Sequence, residues 1–147
     1  MVLKQNPPKY LAYIKEANSR QPFPGTYECT DVDWGHELVF VKRLSFTEPC
    51  VFGFNEVVLR EYSGRPDLNK KPVYTDDIVR LNRRSNKPLV GVVKFSPELA
   101  AFIVDVRCFT DSRDHLEFLL SDPNTESCEI LGNLHEHPEL LPKATTV

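Results

Sequence analysis

With 147 residues, 41% of them hydrophobic and 27% charged, the chain has enough apolar material for one packed core, which excludes wholesale disorder. Twelve prolines against six glycines speak against long helices, because proline is confined to turns, strand edges and first helical residues. A net charge of −3 speaks against a general nucleic-acid binder, no apolar run reaches the ~20 residues that cross a bilayer, and the opening MVLKQNPPKY is neither a signal nor a transit peptide, so a cytoplasmic protein without a membrane partner is expected.

In chain order, residues 8–17 carry proline in a first helical turn and Tyr10, Leu11, Ile14 and Ala17 at helical spacing, which predicts a short N-terminal amphipathic helix. Prolines on either side of Phe23 end it and hand over to the strand-like TYECT. Residues 31–35, DVDWG, form a turn with Trp34 at its tip. Exposed, that ring would anchor a partner; folded back, it would pad the core, which is the placement the sequence favours.

The runs ELVFVKRLSF (37–46) and VFGFNEVVLR (51–60), parted by the turn-like Thr47, Glu48 and Pro49, predict a hairpin. A second hairpin is predicted from DIVRL and LVGVVKF, joined by the polar, basic LNRRSNKP at 81–88. In AFIVDVRCF (101–109), Phe102, Val104, Val106 and Cys108 alternate with Ile103, Asp105 and Arg107, the pattern of a half-buried strand. Residues 111–123, with His115, read as a strand or irregular turn; a short apolar strand then runs to Gly132 and Asn133, and Pro138 opens a final helical turn. Strands at this spacing favour a mainly β small barrel or sandwich over a βαβ fold.

Charge is uneven along the chain: 6 basic and 6 acidic residues in 1–50, 10 and 7 in 51–110, 2 and 8 in 111–147. Cys29, Cys50, Cys108 and Cys128 lie far apart, each in or beside an apolar stretch, and read as four buried thiols.

The stretch LREYSGRPDLNKKPVYTDDIVRL (59–81) resembles the signature of the YopX family in the order and spacing of Tyr62, Ser63, Gly64, Asp67, Asn69, Lys71, Tyr74, Asp77, Ile78 and Val79. Gly91 to Phe95 is similar to the family's next strand, and ILGNLHEHPELL (130–141), with Gly132, Asn133 and Pro138, to its closing segment. The match is legible over about residues 57–141; Glu61 stands where the family usually has Gln, Asp76 where it usually has Gly, and the N-terminal 50 residues lack its Arg-x-Trp-Asp-like run. Residues 1–50 therefore read as a divergent region packed on a YopX-like 51–147, in one compact domain. The resemblance implies an SH3-like barrel, encoded by a bacteriophage or prophage and acting inside the bacterial host, and it implies no activity. In physical terms the signature is folding information. Gly64 suits a φ > 0 position, Asp67 and Asn69 bond their own backbone, and Asp77 caps the turn feeding its strand.

His135 and His137 would share a side on a strand, as a metal pair must, but Pro138 follows at once with no third ligand in view, so no metal and no cofactor is expected. Asp76 and Asp77 are adjacent, and adjacent strand residues point apart, which spoils an acid/base dyad. His36 and His115 have no nucleophile at catalytic spacing, so no catalytic residue is assigned. The best binding hint is basic: Arg80, Arg83, Arg84 and Lys87, with Arg65, Lys70 and Lys71, would hold phosphates if both loops met at one end of the barrel. Expected partners are a host or phage macromolecule, with a nucleotide signal, nucleic acid or a second copy of the chain as alternatives.

Overall fold

A computed structural model describes residues 6–16, 24–42, 49–84, 87–110 and 116–142. The chain falls into two compact units, Met1–Tyr62 and Ser63–Val147. The expected boundary at residue 50 lies inside the first of them, at the start of a strand. The break at 21–23, the turn residues Thr47 and Glu48, and 111–115 with His115 lie outside the described residues.

The first unit holds β1 (Tyr10–Ile14), β2 (Gly25–Asp33), β3 (Leu38–Val41), β4 (Cys50–Gly53) and most of β5 (Val57–Pro66), in the antiparallel order β4-β3-β2-β1-β5. Where a helix is expected over 8–17, Tyr10–Ile14 is a strand, and Ala17 lies outside the described residues. Apolar residues that fit a period of 3.6 also fit alternation here: Ala12 and Ile14 enter the core together, and Leu11 sits opposite both Glu28 and Arg60. A ladder on both sides outweighs the marginal stability of a two-turn helix. Alternate residues of one sheet face make the core, Ala12, Ile14, Val39, Val41, Cys50, Phe52 and Val57, with Val39 opposite Phe52 and Ile14 opposite Val57.

The expected hairpin forms between β3 and β4, but the run 51–60 is not one strand. It breaks at Phe54, Asn55 and Glu56, where Glu56 N donates to Gly53 O (3.0 Å) and its carboxylate accepts Gly53 N (3.1 Å). This turn joins the two outermost strands of the five. In a flat sheet they would lie about 19 Å apart, whereas the chain from Gly53 to Val57 spans at most about 14 Å, so the sheet must coil. No ladder joins β4 to β5 among the described residues, and the expected closed barrel is replaced by an open, coiled sheet.

The second unit contains β6 (Pro72–Tyr74), a sheet neighbour of β5, and a five-stranded antiparallel sheet in the order β10-β9-β8-β7-β11. Its strands are β7 (Asp77–Arg83), β8 (Leu89–Ser96), β9 (Ala101–Asp105), β10 (Glu117–Leu119) and β11 (Thr125–Asn133). The second predicted hairpin is β7–β8. Val73, Val79, Leu81, Val93, Val104, Val106 and Leu120 form the core. β9 stops sooner than its alternation suggests. The Asp105 carboxylate accepts Arg107 N (3.0 Å) and turns the chain into a 3-10 turn, Arg107–Phe109. Cys108 is exposed as a result. Cys50 alone among the four free cysteines is fully buried, and Cys29 and Cys128 are half-buried, which corrects the expectation of four buried thiols. A second 3-10 turn, Pro138–Leu140, opens on Pro138. No helix among the described residues is long and apolar enough to cross a membrane.

Candidate functional site

The signature residues are used by the fold. Asp67 is 6% exposed; one carboxylate oxygen accepts Asn69 N and Lys71 N, both at 2.9 Å, and the other accepts Ile130 N at 3.1 Å. With Leu68 N donating to Cys128 O (2.8 Å), the turn is stapled to β11. It holds Lys70 at φ 67°, and Gly64 ahead of it sits at φ 83°, the left-handed conformation its sequence context called for. The Asp77 carboxylate accepts Tyr74 N (2.8 Å) and closes the turn that leads into β7. Asp76 adopts φ 70°, a left-handed conformation that glycine would take without strain.

The closing segment behaves likewise. Asn133 accepts His135 N (3.0 Å) and Glu136 N (2.9 Å) on its side-chain oxygen. A Cβ on Gly132 would stand 2.7 Å from Leu140 and 2.8 Å from His137, so only glycine lets the chain fold back over β11. His135 Nε2 meets the Asp76 carboxylate at 2.8 Å, while His137 Nδ1 accepts Asn133 N at 3.2 Å. His135 pairs with Asp76 while His137 and Asp77 bind backbone N–H groups, and no group of three metal-ligating side chains forms among the described residues.

The basic residues do not all share one face. Along β7, alternation sends Arg80 to the face where it meets Glu129 (3.4 Å), and Arg83 to the opposite face, over the Phe118 ring at 4.9 Å. Arg84 faces Glu126 at 4.0 Å, and Arg65 donates to Leu120 O at 2.8 Å. Lys70, Lys71 and Lys87 are exposed. Arg65, Leu68, Val73, Leu120, Ser127 and Cys128 line a cavity of about 220 Å³. Burial, and then the Asp67 carboxylate, push the Cys128 thiol up to about 11, so at neutral pH it is a protonated, unreactive lining group.

The first unit offers a different surface. Trp34 is 58% exposed rather than folded onto the core. Asp33 fixes its turn by accepting His36 N (3.0 Å) and pairing with His36 Nδ1 (2.9 Å), contacts that hold the Asp33 carboxyl below its usual range. The Trp34 ring stands edge-to-face between Tyr10 (5.8 Å between centroids) and Phe54 (5.4 Å). Three short stretches distant in sequence supply one aromatic cluster: the start of β1, the β2–β3 turn and the β4–β5 turn. Phe54 N donates to Glu37 O (3.1 Å), which ties the last two together. Tyr10 and Phe54 escaped the sequence reading because no spacing links them to Trp34. Tyr10 fits a helical pattern, and Phe54 a strand.

A family model described as YopX protein matches residues 24–142. The match covers most of the chain and begins well ahead of the signature, so it takes in β2 to β4 as well as the part legible by eye. No curated protein matches.

Proposed function

The chain belongs to the YopX family, and from that premise we propose that it is a non-enzymatic binding protein that engages a macromolecular partner through Tyr10, Trp34 and Phe54. The exposed Trp34 carries this reading. Leaving a large indole exposed to water is unfavourable unless something covers it, and tryptophan and tyrosine dominate the energetics of protein contacts. The signature's Asp67 and Asp77 are engaged by backbone donors, which favours a scaffold over a reaction centre. The strand order β4-β3-β2-β1-β5 with a tight β4–β5 turn supports an SH3-like connectivity in the first unit, where the family resemblance had suggested one further along the chain. Phage origin and action inside the bacterial cell accompany this reading.

The alternative is phosphate binding by the basic residues. It is weakened by the Glu129 and Glu126 carboxylates that face Arg80 and Arg84. Affinity capture from bacteria expressing the protein, with mass spectrometry of proteins, nucleic acids and small molecules, separates the two. A protein retained by the wild type and by Arg80→Ala/Arg84→Ala, and lost with Trp34→Ala, supports the aromatic contact. Equal retention by Trp34→Ala, or recovery of nucleotides or nucleic acid alone, overturns it.

A further inference from the structure

Acidic residues neighbour the aromatic cluster in register and in sequence. Glu61 is the β5 partner of Tyr10 in the β1–β5 ladder, and its charge adds to burial in raising the Tyr10 phenol. Asp33 immediately precedes Trp34 and stays ionised through His36. Glu37, exposed and at φ 54°, passes its carbonyl to Phe54 N. Lys9, 5.5 Å from the centre of the Tyr10 ring, is the opposing cation. The surroundings are therefore net acidic, and a complementary occupant carries positive charge.

Shape restricts the occupant further. Rings meeting edge-to-face form ridges with furrows between them, not a flat plate. Contacts of 5.8 Å and 5.4 Å through Trp34 limit the distance from Tyr10 to Phe54 to about 11 Å. A polyproline II chain repeats every three residues with a rise of about 3.1 Å each, so residues i and i+3 lie on one side about 9 Å apart, within that limit. Proline rings fill aromatic furrows with little entropy left to lose, and the solvated carbonyls of such a chain suit a lone N–H donor like the indole Nε1. An added β-strand would need a free sheet edge in place of side chains, and an amphipathic helix a longer apolar groove.

We infer that the Tyr10–Trp34–Phe54 cluster is a docking site for a proline-rich polyproline II segment bearing a basic residue beside its prolines. This rests on the aromatic contact proposed above and specifies its occupant. Trp34 is the chain's one tryptophan, so its emission reports directly on the site. The probes are a synthetic ten-residue peptide with two prolines three apart and an adjacent arginine, the same peptide with both prolines replaced by glycine, and one with arginine replaced by glutamate. The first peptide should shift Trp34 emission to the blue and saturate in the micromolar range. The glycine peptide should bind at least tenfold more weakly, and the glutamate peptide at least fivefold. Calorimetry with Trp34→Ala, at unchanged circular dichroism, should show binding lost. No emission change at millimolar peptide, or equal binding of the glycine peptide, overturns the proposal; equal binding of the glutamate peptide overturns its electrostatic half. If the titration is silent while Trp34→Ala still loses its captured protein, the polyproline occupant is wrong and the aromatic contact stands. If both fail, the aromatic contact falls as well.

Discussion

The Asp67 turn and the Trp34 turn are both short polar loops between strands, yet their side chains do opposite things. In the second unit, Asp67 turns inward and engages both carboxylate oxygens with three backbone N–H groups, one of them 63 residues away. In the first unit, Asp33 fixes its own loop and leaves the adjoining indole exposed. The recognisable part of the sequence is recognisable because its turn geometry demands particular residues. The surface proposed for a partner is built around an indole that no such demand fixes.

That contrast makes its strongest prediction at Asp67. Asp67→Ala removes the acceptor of three part-buried backbone hydrogen bonds, and should cost about 3 kcal/mol in urea denaturation. A loss under about 1 kcal/mol would show that the turn is not stapled to β11. Gly132→Ala comes next, since its new methyl must displace Leu140 and His137; about 2 kcal/mol is expected, read as a lower thermal midpoint.

Asp105 gives a pH signature in the second unit. Burial raises its carboxyl, but the Arg107 N–H and the Lys94 and Arg107 charges prevail and leave it below the usual range. A carboxyl depressed in the folded state contributes stability that is complete above its unfolded pKa, about 4, and is lost as pH falls through the lower folded value. Wild type should therefore lose more stability on acidification through that window than Asp105→Asn; parallel profiles would contradict it. The smallest effect on stability belongs to Trp34→Ala. With the ring more than half exposed and held by its edge-to-face contacts with Tyr10 and Phe54, the change should stay near about 1 kcal/mol, and a much larger loss would mean that the indole supports the fold.

Local chemistry was legible in the sequence. The φ > 0 at Gly64, the Asx-type turn at Asp67 and Asn69, the Asp77 cap and the hairpins β3–β4 and β7–β8 each depend on residues a few positions apart, whose side chains reach the backbone they stabilise. What failed depended on distant neighbours. Residues 8–17 suit a helix or a strand equally, and pairing with β2 and β5 decided for the strand. Counting charge along the chain also hides that alternation in β7 turns Arg80 toward Glu129 and Arg83 toward Phe118, on opposite faces.

By itself, the sequence determined the mainly β character, the family and the conformation of its turns, since these follow from alternation and from short-range hydrogen bonding. Only the tertiary structure decided that the sheet of the first unit stays open, that Cys108 faces solvent, and that Tyr10, Trp34 and Phe54 meet. Those outcomes turn on which strands become neighbours. That choice is made by the burial of whole sheet faces, a collective quantity that no local stretch of residues encodes.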